Sequence, residues 1–207
     1  MAALDVHNSL VTRIVLYKVR PGQQAAAVEA LRGLFSLAAA QPGFVSASLH
    51  RSLDGAKAAI YAQWCSAQAV TNFRALPEAA ALTANVGELV ETADHRGYEI
   101  VCWRCKYGIP QIVAGQYFVS IAEFRAGEGE QAGVVERVKA HVEEVGLANG
   151  AECLALHRSL DGGLAVCYGQ WDSEGAAGGA RREEDWDGVE ERECHAYEVV
   201  MTLKGKA

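Results

Sequence analysis

Three groups of residues in this 207-residue chain have types and spacings suited to chemistry. The first is centred on Trp64, which ends an apolar strand run with the small residues Ala47, Ala58 and Ala62 in phase with it. A large ring among small side chains leaves concave apolar room of the kind that takes a small ligand. The same ring also fits a plain core role, as large aromatics at strand ends often have. The second group occurs twice, as His50, Tyr61 and Gln63 and as His157, Tyr168 and Gln170. Imidazole and phenol groups held inside a fold can move protons, or can satisfy one another and fix strand register. The third is Cys102-Trp103-Arg104-Cys105, a spacing shared with redox and zinc sites. It closes a strand-like run instead of opening a helix, and no second such pair completes a zinc tetrahedron. All six cysteines are therefore read as reduced, and no metal is expected.

The elements that must position these groups come from a duplication. Leu49-His-Arg-Ser-Leu-Asp-Gly55 recurs letter for letter as Leu156–Gly162, so that His50 maps to His157 at an offset of 107. The same offset pairs Tyr61 with Tyr168, Gln63 with Gln170 and Trp64 with Trp171. Repeats of this kind decide an architecture before any local reading does. The closing runs Tyr98–Val101 and Tyr197–Val200 match at 99 instead, so the second copy is eight residues shorter ahead of its last strand. Each copy reads as strand, helix, hairpin, helix, strand. Gln23–Ala40 carries a helical stripe from Ala27 through Ala38 and is stopped by Pro42-Gly43. Asp54-Gly55 is a two-residue hairpin signal. A second helix is predicted over roughly 66–76, extending beyond Pro77 or not. The fold class expected is α+β: tandem ferredoxin-like β-α-β-β-α-β modules, 1–105 and 116–207, joined by a linker over 106–115. Each module has helices on one sheet face only, so the two are expected to close on each other as an intramolecular pseudo-dimeric α+β barrel.

Hairpin register sorts the side chains. With Leu53 opposite Ala56, one face carries Val45, Ala47, Leu49, Arg51 and Leu53 with Ala58, Ile60, Ala62 and Trp64, and should lie under the helices. The other face carries His50, Tyr61 and Gln63 toward the sister module. Val70, Phe73 and Leu76 of the second helix should close the space beside Trp64. In the second copy Glu174–Ala180 is a poor helix without a bulky apolar face, so its pocket is expected to be degenerate or open.

The stretch Phe44–Phe73 has Pro-Gly-Phe, a strand ending Leu-His-Arg-Ser-Leu-Asp-Gly, and Tyr61-Ala-Gln-Trp64 followed by a helix. It resembles the antibiotic biosynthesis monooxygenase (ABM) family of dimeric α+β barrel proteins, over residues 12–104 and more weakly over 116–204. That family includes cofactor-independent oxygenases of aromatic polyketides such as anthrones, haem-degrading relatives and proteins without known activity. The resemblance implies that a substrate carbanion reduces dioxygen directly, so that the expected partners are a small aromatic metabolite, polycyclic or polyketide-type, and molecular oxygen, with no cofactor. It places Trp64 as the residue lining the pocket and orienting substrate, with Arg51 and Asn72 assisting. Leu49, Ile60, Ala62, Val70, Phe73 and Arg74 would surround the substrate, and Trp171 and Arg158 are the second-module counterparts. The family's oxygenases often carry an Asn four residues before this Trp, where this chain has Ile60 and, in the second copy, Cys167. No His stands at the pocket-facing end of the second helix as haem degradation would want, and His95 falls later. Three roles follow: a monooxygenase working in the N-terminal module, a cyclase or isomerase of similar substrates, and a non-catalytic binding or accessory protein.

Bulk properties narrow the classes. Net charge is −7, with acid concentrated from Glu183 to Glu193, and no basic stripe serves a nucleic acid. No apolar run is long enough to span a bilayer, and the start lacks a secretory pattern. A cytoplasmic location without membrane contact is expected. Further pairing of two chains stays open.

Overall fold

The computed structural model describes residues 2–145, 147–179 and 191–205. Most of the acidic run, residues 183–190, lies outside them. In chain order the elements are β1 (Ala2–Ala3), β2 (Val11–Val19), α1 (Gln24–Ala39), β3 (Phe44–Ser52), β4 (Lys57–Trp64), α2 (Ala67–Arg74), α3 (Pro77–Leu89), β5 (Val90–Cys105), β6 (Gln111–Ile112), β7 (Phe118–Arg125), α4 (Gln131–Val145), β8 (Ala151–Ser159), β9 (Leu164–Trp171), α5 (Glu174–Gly179) and β10 (Glu191–Lys204).

Eight strands close into one barrel in the order β10-β3-β4-β2-β5-β8-β9-β7, while β1 and β6 pair separately. Each half is the expected β-α-β-β-α-β sheet. Closure depends on two long strands that change partners midway. β5 runs against β2 from Val90 to Tyr98, then against β8 from Tyr98 to Cys105. β10 repeats this, pairing with β7 over Glu191–Glu198 and with β3 over Tyr197–Lys204. Each half thus lends the end of its last strand to the other sheet, and no strand of the barrel is left with a bare edge.

Alternation along the strands sorts two layers. Val15, Tyr17, Ala47, Leu49, Ala58, Ile60, Ala62 and Trp64 pack under α1 and α3 with Ala27, Leu31, Phe35 and Val86. Ile14, Leu16, Ala59 and Tyr61 face inward with Ile121, Val166, Tyr168 and Tyr197 of the other half. The hairpin has the register read from Asp54-Gly55, with Arg51 opposite Ala58 and Ser48 opposite Tyr61. Gly55 takes φ +78°, open to glycine at little cost. Both first helices are tied to their hairpins by the same side chain. Gln24 Nε2 donates to the Ser52 and Lys57 carbonyls at 2.8 Å each, and Gln131 Nε2 donates to those of Ser159 and Leu164 at 2.8 and 2.9 Å.

Four local readings need correction. The single second helix is two, because Pro77 cannot continue α2 but suits the first turn of α3. A β-bulge between Phe44 and Ser46 takes Val45 out of the ladder and puts Phe44 opposite Trp64. Leu53 is 38% exposed at the turn instead of under the helices. Finally, the cysteines are not all reduced: Cys105 and Cys153 form a disulfide. They face each other at the last rung of β5 and β8, a proximity set by the partner change of β5 and invisible in their separation of 48 residues.

Candidate functional site

Beside Trp64 lies a cavity of about 140 Å³ between the β2–β4 sheet and helices α1 to α3. Its walls are Val15, Phe35, Phe44, Ile60, Phe73 and their neighbours. An apolar cavity of about 150 Å³ holds one benzene, so the enclosed part takes one ring and a larger ligand must extend toward the mouth. Phe44 meets Trp64 edge-on at 5.2 Å, and Phe73 lies over it at 5.3 Å with the planes tilted by 32°. Small residues make the room: Ala47 and Ala62 face each other across β3 and β4.

The polar groups come from β2, α2 and β5. Arg13 is in phase with Val15 and Tyr17 on β2, Arg74 ends α2, and His95 on β5 sits opposite Val15. The His95 and Tyr17 rings meet edge-on at 5.9 Å. Burial first, and then the positive charges of Arg74 and Arg13, hold His95 below the ordinary imidazole range, with Asp94 opposing them. Its neutral form is therefore favoured near pH 7. Burial, followed by the charge of Arg74, also lowers Arg13. Burial alone pushes the Tyr17 phenol up, so it stays protonated. The arrangement offers an apolar slot for a ring, a neutral imidazole able to take a proton, and two guanidiniums able to stabilise the anion left behind.

Of the residues singled out in the sequence, Trp64, Ile60, Ala62, Val70, Phe73 and Arg74 line this cavity. Leu49 is fully buried in the core beneath α1 and is not part of the lining. Arg51 has the expected phase but sits at the hairpin end of β3, half exposed and paired with Glu198. Asn72 is on the solvent side of α2, where it accepts from Gln68 at 2.8 Å. Arg13, Tyr17 and His95 were not singled out as site residues. The period-two alternation of β2 points to the first two, whereas His95 sits in a polar stretch, Glu91–Arg96, that carries no strand signal.

In the C-terminal module the equivalent of Ala47 is Leu154 and that of Arg13 is Ser120. Trp171 packs there with Phe124, Leu154 and Leu156, and its Nε1 donates to Ser120 Oγ at 2.8 Å. Arg158 is half exposed and paired with Glu99, as Arg51 is with Glu198. The contrast gives a direct prediction. Ala47→Leu, which copies the second module, should abolish saturable binding of aromatic ligands in calorimetry while changing unfolding free energy by no more than about 1 kcal/mol, since it fills existing space.

The polar set inside the barrel forms two matched pairs. His50 Nε2 meets Tyr168 Oη at 2.9 Å and His157 Nε2 meets Tyr61 Oη at 3.2 Å. Their Nδ1 atoms face the carbonyls of Ala59 and Ala155 at 3.3 and 3.1 Å. A carbonyl only accepts, so Nδ1 carries the proton and each tyrosine donates to Nε2. Burial lowers both histidines to about 4. Every ring nitrogen is occupied and both histidines are completely buried, so the four side chains satisfy one another across the two halves of the barrel. Gln63 accepts from Ser46 at 2.8 Å, and Gln170 donates to the Gln111 carbonyl at 2.8 Å.

The sequence model of the family described as antibiotic biosynthesis monooxygenase matches residues 10–85. Similar solved structures share the fold over nearly the whole chain. One, of an anthrone oxidase-like protein, has a TM-score of 0.84 at 19% identity and covers 99% of this chain and 97% of its own. Two others are proposed monooxygenases. The one from Fusobacterium nucleatum has a TM-score of 0.63 at 8% identity, covering 95% and 94%. The one from Lactobacillus acidophilus has a TM-score of 0.59 at 10% identity, covering 95% and 97%. No curated protein matches the chain. Among the described residues no helix is long and apolar enough to cross a membrane.

Proposed function

We propose that the N-terminal module is a cofactor-independent monooxygenase of an aromatic, polyketide-type metabolite, a reading supported by the match of residues 10–85 to the model of the antibiotic biosynthesis monooxygenase family. The observation that carries this reading is the apolar slot beside Trp64 with His95 and two arginines at one end. His95, neutral at working pH, removes a proton from an activated CH₂ carbon of the bound ring system. Arg13 and Arg74 stabilise the resulting enolate. The carbanion passes one electron to dioxygen, and the radical pair recombines to a hydroperoxide on that carbon. Loss of water leaves a carbonyl, so one CH₂ and one O₂ become one C=O and one H₂O, and no outside reductant is consumed. The apolar walls keep bulk water from the intermediate.

Oxygen uptake by metal-free, flavin-free protein given anthrone-type substrates tests this. Uptake with quinone formation is expected. Trp64→Phe should lower kcat/KM about two- to tenfold, in line with the ~0.5–1.5 kcal/mol of an aromatic pair, and Trp171→Phe should leave it unchanged. No uptake across a broad panel would sink the proposal.

A ligand-carrying role is the second reading, favoured by Ile60, an apolar residue where an amide often serves the family's oxygenases. It predicts saturable binding with no oxygen consumed. A cyclase or isomerase would instead form product without oxygen.

A further inference from the structure

Among the described residues no carboxylate is in contact with either arginine of the cavity. Neither the Arg13 nor the Arg74 guanidinium has an ion-pair or hydrogen-bond partner among these residues, Asp161 reaches Arg13 only at longer range, and no lining residue is acidic. The acids whose charges reach this end are engaged by another cation. Arg96 holds Asp94 at 2.7 Å and grips both oxygens of Asp161, at 2.9 and 2.8 Å. Arg13 is partly buried, and Arg74 ends α2, where the helix dipole favours a cation without neutralising it. Two like charges gathered at the end of an apolar slot are unfavourable until an anion joins them. The C-terminal module, whose tryptophan fills its own space, has Ser120 in place of Arg13.

We propose that the ligand of the Trp64 cavity is an aromatic compound with an ionised group, its ring inside the slot and its carboxylate or phenolate held by Arg13 and Arg74. This rests on the reading that the cavity is the substrate site. The planar guanidinium fork matches the two oxygens of a carboxylate and can also donate to the single oxygen of a phenolate. A singly charged group balances one of the two positive charges and leaves the other for the enolate, and its anchoring fixes which ring carbon faces His95, so the same pair that admits the substrate also selects the carbon to be oxidised.

Calorimetry on the full chain under nitrogen, with 2-naphthoate and its neutral isostere 2-naphthamide, tests the charge preference without turnover. The acid should bind about 10- to 100-fold more tightly than the amide, and less so as salt rises. Arg74→Gln, at an exposed helix end, should reduce that ratio. Arg13→Gln combined with Arg74→Gln should bring it to about one, the acid losing far more affinity than the amide. Equal affinity in the unaltered protein, or a ratio that survives in the double variant, overturns the proposal. Failure of both probes to bind overturns it together with the cavity's role as a site. Selective binding of the acid without oxygen uptake from any aromatic acid leaves it standing and sinks the oxygenase reading alone.

Discussion

His95→Gln is expected to lower kcat for oxygen uptake by about 10²- to 10⁴-fold, the range a positioned base contributes. KM should change little, because the ring is held by Trp64 and Phe73 and the charge by the arginines. Glutamine keeps the size and polarity of imidazole but cannot accept the proton, so a structural role for His95 would predict recovery in this variant. The pH profile separates the cases further. A base works only when deprotonated, and burial with two nearby guanidiniums pulls His95 below its ordinary value. The acid limb of log kcat/KM should therefore fall at a pH below about 6.5, the ordinary imidazole value, and vanish in His95→Gln. Removing Arg13 and Arg74 raises the base, so the limb should move toward neutral pH in the Arg13→Gln, Arg74→Gln variant. A limb that stays fixed in all variants would mean that another group is the base.

The largest stability effect should come from acid. His50 and His157 are held at about 4 by complete burial, whereas in the unfolded chain each titrates near 6.5. Their folded values are lowered, so their contribution is present above about pH 6.5 and is lost as pH falls through 4. Near pH 5 the unfolded chain binds two protons that the folded one refuses. Unfolding free energy should fall there by about 2.7 kcal/mol per pH unit, and by roughly 3 kcal/mol per histidine across the window. Asp54, held at about 2 despite the opposing effect of its partial burial by its bonds to Ser52, the Ala56 amide and His195, adds a further loss at lower pH. Urea titrations between pH 7 and 4.5 measure the slope. His50→Gln with His157→Gln should lower the plateau but flatten the curve; a flat curve in the unaltered protein would mean that the pairs accept protons while folded.

How much of this could be read from the chain varies with the kind of signal. Duplication and the Asp54-Gly55 turn are strong local statements, so barrel, hairpin register and the two strand faces follow from them. The room beside Trp64 is written in the same alternation, as alanines facing alanines. Arg13 and Tyr17 obey that alternation too, but a charged residue at the start of a strand reads as a solvent-facing end until the helices above it are placed. His95 was out of reach for a different reason. Glu91–Arg96 is polar at every position but Ala93 and becomes a strand because β2 offers it a partner, a tertiary effect that overrides local preference. Arg51 shows the converse: its face is legible, but its place at the hairpin end of β3 carries it along the strand away from Trp64. The Cys105–Cys153 bond depends on β5 leaving its own sheet halfway, which no spacing reveals.

That exchange of strand ends reaches into how the molecule can change. A barrel closed by two identical chains must carry every substitution twice, so a residue that improves one site alters both, and one that ruins a site ruins both. Here each sheet still requires the tail of the other, so neither half can be discarded or folded away from its sister. Yet Ala47 and Leu154, or Arg13 and Ser120, vary independently. One covalent chain lets a half whose tryptophan is packed by Leu154 serve as scaffold, holding strand ends in place for a site it does not share.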